Sequence, residues 1–138
     1  MKNILKLIIL LFIFTFSNKA YSQIDTLNYV KQFEMNKANY IGHPFSKLLS
    51  DMTQIQPQTV NSLPQIWGKD LTPESIFDFT ERDYQYGRKT IHIIVTWQTP
   101  ISHSQALLLS KQNHFLLTNA EKQFYGNKIV GDIVVYKR

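Results

Sequence analysis

The chain has 138 residues, a formal charge of +5 and no cysteine. Without cysteine there can be no disulfide, thiolate metal site, thiol nucleophile or lipid-bearing cysteine behind a signal segment. Three of the positive charges are Lys2, Lys6 and Lys19; without them twelve Lys and Arg oppose ten Asp and Glu, a balance of +2, which lacks the concentrated basic footprint of a nucleic-acid-binding protein.

Residues 1 to 22 read as a secretory signal peptide. Met1-Lys2-Asn3 to Lys6 make a basic start, Leu7 to Phe16 are apolar apart from Thr15, and Ala20-Tyr21-Ser22 places small residues before Gln23. As a membrane anchor the apolar run is too short, about half of the ~20 residues that a span needs. Cleavage after Ser22 leaves residues 23–138 as one domain, long enough for a single core. Export without disulfides, in a chain with no Asn-x-Ser/Thr sequon, fits a bacterial periplasm or the extracellular medium.

Asp25 to Ile41 has Leu27, Val30, Phe33 and Tyr40-Ile41 near helical spacing, with Asp25 or Thr26 as the cap and Gly42 as the stop. Pro44 suits the first position of a second helix, whose Phe45, Leu48, Leu49 and Met52 follow the i, i+3, i+4, i+7 pattern of a core-facing stripe. Thr53 to Pro73 is irregular and holds three prolines; Thr59-Val60 and Gln65-Ile66-Trp67 read as short edge pieces. Glu74 to Asp83 alternates, with Phe77 and Phe79 on one face and Asp78, Thr80 and Arg82 on the other.

Lys89 to Gln98 is the strongest strand signal. Ile91, Ile93, Val95 and Trp97 share one face, while His92, Ile94, Thr96 and Gln98 form a half-polar second face. Tyr84 to Arg88 supplies the turn of an antiparallel hairpin. Keeping Phe77, Phe79, Ile93 and Val95 on one face requires opposed residue numbers to have an even sum. A turn centred on Tyr86 sets Phe79 against Ile93 and Thr80 against His92. Pro100 ends this strand, and Ser102 to Gln105 has the capping-box form before a third helix from His103 to Gln112. His114 to Leu117 reads as a short strand, Thr118-Asn119-Ala120-Glu121 as a second capping box opening a helix that Gly126 stops, and Lys128 to Lys137 as the last strand.

The segments Tyr40-Ile41-Gly42-His43-Pro44-Phe45-Ser46, Gln54-Ile55-Gln56-Pro57 and Phe124-Tyr125-Gly126-Asn127-Lys128-Ile129-Val130 resemble short exported bacterial proteins of flavobacterial type. That resemblance implies export and a shared fold, and no particular chemistry. The layout of two helices leading into antiparallel strands is also similar to outer-membrane assembly lipoproteins and β-lactamase-inhibitor-like domains, from which this chain departs by lacking the lipid-bearing cysteine.

None of His43, His92, His103 and His114 has the i, i+4 partner of a helical metal site, so neither a metal nor another cofactor is expected. His92 has Asp78 and Arg82 diagonally across the hairpin, and a carboxylate beside a histidine can orient it as a general base; a solvated, mixed-charge sheet face is the commoner meaning of such a pattern. No Gly-x-Ser-x-Gly elbow accompanies the pair. Trp67, Tyr84 and Tyr86 fall in loops, where aromatics carry binding energy at interfaces or cover a small core.

The sequence therefore describes an α+β domain: an antiparallel sheet of three to five strands, helices packed on one face, and an N-terminal helical pair. Its expected role is non-enzymatic binding of a protein or envelope component through Trp67, Tyr84 and Tyr86. No nucleic acid, lipid anchor or membrane span after cleavage is expected. A small hydrolase using His92 and Asp78 is the alternative. An exposed aromatic patch would favour binding, and a concave pocket holding both His92 and Asp78 would favour hydrolysis.

Overall fold

A computed structural model of the chain describes residues 25–64, 68–79 and 90–138. Helix α1 spans Thr26–Met35, and the Asp25 side chain caps it by accepting from the Asn28 N–H at 3.2 Å. It stops six residues before the expected Ile41. The Asn36 side-chain amide donates to the Gln32 carbonyl at 2.9 Å, satisfying an end group that further helix would otherwise have to pair. A short 3-10 turn, Lys37–Asn39, follows. Gly42 then takes a left-handed φ of +79°, a conformation that costs glycine little. Helix α2 is Phe45–Asp51, with Pro44 at its N-cap rather than at its first helical position. Phe45, Leu48, Leu49 and Met52 are all buried, as their spacing requires.

Four strands form one antiparallel sheet in the order β1-β2-β3-β4: Thr59–Leu63, Leu71–Asp78, Ile91–Ser102 and Val130–Lys137. Helices α3 (His103–Gln112) and α4 (Asn119–Gly126) connect β3 to β4. The even parity of the β2–β3 hairpin is observed, with Phe77 opposite Ile93 and Asp78 opposite His92. The alignment is nevertheless displaced by two from the expected one: opposed numbers sum to 170, so the connection is centred on position 85. The side chains therefore face the expected sides while each has a different neighbour. His92 has Asp78 opposite it, not the expected Thr80, and Ile93 has Phe77, not Phe79; the expected end of the strand at Asp83 lies outside the described residues.

Three other expectations are corrected. Pro100 does not end β3, which runs on to Ser102. Thr96 pairs with Glu74 and Ile101 with Thr72, so residues 97–100 bulge opposite Pro73 alone. Such a bulge tolerates two prolines, because neither is asked to donate to a regular ladder. Strand β2 accordingly begins at Leu71, not Glu74. His114 to Leu117 is not a strand: His114 and Phe115 have φ of 53° and 63°, and only a single bridge, Thr59 to Leu116, is made.

The inner sheet face carries Val60, Phe77, Ile93, Val95, Trp97, Ile133 and Val135, all buried, against Val30, Phe33, Phe45, Leu48, Ala106 and Tyr125 from the helices. Phe45 lies 4.5 Å from Phe77, and Trp97 stacks on Tyr125 at 5.7 Å between ring centres. Three polar tips inside this core are paired with one another or with the Trp97 indole. The Trp97 indole N–H donates to Ser75 Oγ at 3.0 Å, and Ser62 links Ser75 to the Tyr125 hydroxyl at 2.9 Å on each side. Desolvation by burial pushes the Tyr125 hydroxyl above its ordinary pKa.

Both sheet edges are occupied, which protects them from pairing with another chain. On β1, the Val60 N–H donates to the Phe115 carbonyl at 2.9 Å. On β4, the Val135 N–H donates to Glu34 Oε1 at 3.0 Å. Burial raises the Glu34 carboxyl, but the hydrogen bonds from Lys31 and from Val135 outweigh it and the net shift is downward. No described helix is long and apolar enough to cross a membrane.

Candidate functional site

Strand pairing arranges the outer sheet face as three rows of four residues, each row crossing all four strands. The first row is Leu63, Glu74, Thr96 and Asp132; the second is Asn61, Ile76, Ile94 and Val134; the third is Thr59, Asp78, His92 and Tyr136. The rows differ in chemistry. The first is polar apart from Leu63, with the Thr96 hydroxyl 3.3 Å from Glu74 Oε1. The second is an apolar belt, with Val134 exposed and Ile76 and Ile94 half-buried.

The third row is linked side chain to side chain. The Thr59 hydroxyl donates to Asp78 Oδ2 at 3.0 Å, and Asp78 Oδ1 lies 2.5 Å from His92 Nδ1. The His92 ring stacks on Tyr136 at 4.6 Å with an interplanar angle of 21°. A carboxylate can only accept, so Nδ1 carries a proton, and Nε2 is an acceptor only in the neutral ring. Nε2 is buried and makes no hydrogen bond among the described residues. Asp78 is 1% exposed and the His92 side chain 12%, so the row is sunk into the protein rather than displayed.

Asp78 and His92 are thus brought together, as directly opposed partners rather than the diagonal neighbours expected. Two members of the row, Thr59 and Tyr136, were not anticipated as partners. Thr59 was legible as strand and Tyr136 as the end of the last strand, but only the pairing of β1 and β4 brings either to His92. Trp67, Tyr84 and Tyr86, together with Arg82, lie outside the described residues. The remaining histidines are dispersed: His43 and His114 are exposed and His103 opens α3. Among the described residues, no three His, Asp or Glu side chains gather as a metal site would require.

Two surface grooves lie away from this row. One, of about 440 Å³, runs between α1 and α2 and is lined by Tyr29, Gln32, Asn36, Tyr40, Asp51 and Gln54 among others. The other, of about 360 Å³, lies between the β3 bulge and the end of α4. Neither includes His92 or Asp78.

Fold and site together define an α+β domain whose outer sheet face combines an apolar belt with a sunken Thr–Asp–His–Tyr row. No protein-family model, curated protein or solved structure matches the chain.

Proposed function

We propose that this is an exported, non-enzymatic binding domain of a bacterial cell envelope, and that it engages a protein or envelope component through the outer face of its sheet. The observation that carries the reading is the belt of Ile76, Ile94 and Val134, on the side opposite the helix-packed core, with Val134 41% exposed. Exposed apolar surface rimmed by polar residues is the usual character of an interaction site. In this account the third row supports the face: stacking and hydrogen bonds fix its side chains, so little ordering remains to be done on binding. Trp67, Tyr84 and Tyr86 remain proposed contributors from the loops. Export rests on the pattern of residues 1–22, and N-terminal sequencing of the exported protein should start at Gln23. Recovery of exported protein beginning at Met1 would reject it.

For the face itself, Val134→Glu should abolish capture of the partner from native envelope fractions while leaving the melting temperature within a few degrees. Unchanged capture by a normally folded V134E protein would move the surface elsewhere.

One observation favours a second reading, a small hydrolase. Asp78 orients His92 through Nδ1, as a carboxylate does for a general base; Nε2 is buried, so in this reading it must be uncovered before it can reach water. Such an enzyme should cleave an ester or amide panel, and His92→Phe should remove the activity. Hydrolysis that survives His92→Phe would exclude this assignment.

A further inference from the structure

We propose that the groove between the β3 bulge and the end of α4 binds a small apolar monocarboxylate, with Lys128 as the carboxylate's counter-ion. Its floor and walls include Ile101, Phe124 and Ile129, and its polar groups include Gln105, Asn127 and Lys128. Lys128 is the one charged side chain in that lining. Its ammonium lies 5.1 Å from the centre of the Phe124 ring and forms no ion pair among the described residues. A cation held over an aromatic face beside apolar walls is partly stripped of water, which strengthens its attraction for an anion.

The site is held by backbone rather than by mobile side chains alone. The Lys128 N–H donates to the Tyr125 carbonyl at 2.9 Å, and its own carbonyl accepts from the Phe45 N–H at 2.9 Å. The Ile129 carbonyl accepts from Gln98 N–H at 2.9 Å, tying the groove to the bulge. The opposite wall is the first turn of α3, whose positive end is already engaged: Asp70 accepts from the Ser104 N–H at 2.6 Å and from the Ser102 and Ser104 hydroxyls. The unsatisfied positive charge is therefore that of Lys128. A volume of about 360 Å³ is at the small end of ligand sites, which selects a compact organic acid over a larger polyanion. The amides of Gln105 and Asn127 supply donors for a second carboxylate oxygen.

The probe is phenylacetate, with phenylacetamide as its uncharged counterpart, titrated into the mature protein and followed by amide chemical shifts. Phenylacetate should produce saturable shifts concentrated at Gln105, Asn127, Lys128 and Ile129. Phenylacetamide, and phenylacetate with Lys128→Gln, should each bind at least about tenfold more weakly, the usual worth of a charge-assisted contact. The affinity should also fall as salt is raised. Absence of a saturable shift, or equal affinity for acid and amide, would overturn the proposal. The acid–amide comparison needs no variant and so does not depend on how Lys128→Gln folds.

Discussion

The row Thr59–Asp78–His92–Tyr136 makes a quantitative prediction that separates a formed pair from two side chains merely near each other. The perturbations are Asp78→Ala, His92→Phe and the two combined. Phenylalanine keeps a ring to stack on Tyr136 but deletes the Nδ1–H that faces Asp78 Oδ1 at 2.5 Å. A hydrogen bond to a charged group contributes about 1.5–3 kcal/mol, and Asp78 is 1% exposed, so solvent offers little replacement. His92→Phe alone should then cost about 1.5–3 kcal/mol, because Asp78 keeps the Thr59 hydroxyl on its other oxygen. Asp78→Ala should cost more, since it also strips Thr59 of its acceptor. The double variant should recover the shared part, giving a coupling energy of about 1.5–3 kcal/mol. Urea unfolding at neutral pH measures all four proteins, and a constant slope shows that the comparison is between like states. A coupling below about 0.5 kcal/mol would mean the pair is not hydrogen-bonded in solution.

Three further outcomes follow from the same geometry. Ile93 is 1% exposed at the centre of the inner face, so Ile93→Ala should cost about 2–5 kcal/mol in chemical denaturation, and a loss under about 1 kcal/mol would put the wrong residues in the core. At Gly131 an added Cβ would lie 3.0 Å from the Gln98 backbone nitrogen and 3.1 Å from the Trp97 carbonyl carbon; Gly131→Ala should therefore cost about 1–3 kcal/mol, and a neutral effect would show that the bulge yields freely. The Lys37 ammonium hydrogen-bonds Asp132 at 2.7 Å and holds its carboxyl below the ordinary 3.8. A carboxyl depressed in the folded state stabilises above its ordinary pKa and loses that contribution as pH falls through the folded value. Asp132→Asn should flatten the acid limb of the stability profile below about pH 4, by no more than roughly 0.2–1 kcal/mol because the pair is solvent-exposed. An unchanged acid limb would remove Asp132 from the account.

The alternation in Ile91, Ile93, Val95 and Trp97 was enough to assign the inner face, because a period of two admits only two choices and one is apolar throughout. It could not decide which pair of residues stands opposite which, since every even alignment satisfies the same pattern; that is why Asp78 met His92 squarely instead of diagonally. Thr118 and Glu121 announced α4 correctly, and the reciprocal capping box forms, because the relevant hydrogen bonds are local. Pro100 misled for the opposite reason: it is tolerated inside β3 because the β2–β3 register shifts there between Thr72 and Glu74, a feature with no local trace. Leu116 shows the same limit, as its neighbour Phe115 takes a left-handed φ of 63° that β-favouring composition does not foretell. The candidate row was half legible: Asp78 and His92 belong to a hairpin, whereas Thr59 comes from a strand inside a stretch without clear periodicity and Tyr136 from beyond α3 and α4.

Photocrosslinking from the sheet face tests the central claim most directly. A benzophenone side chain placed at Val134, in the apolar belt, is compared in living cells with one at Met35, which is 74% exposed on α1. The account predicts one discrete adduct from position 134, absent from position 35 and lost when Ile94→Glu is added to a still-folded protein. Adducts from position 35 with none from position 134 would place the interaction on the helical side and contradict it.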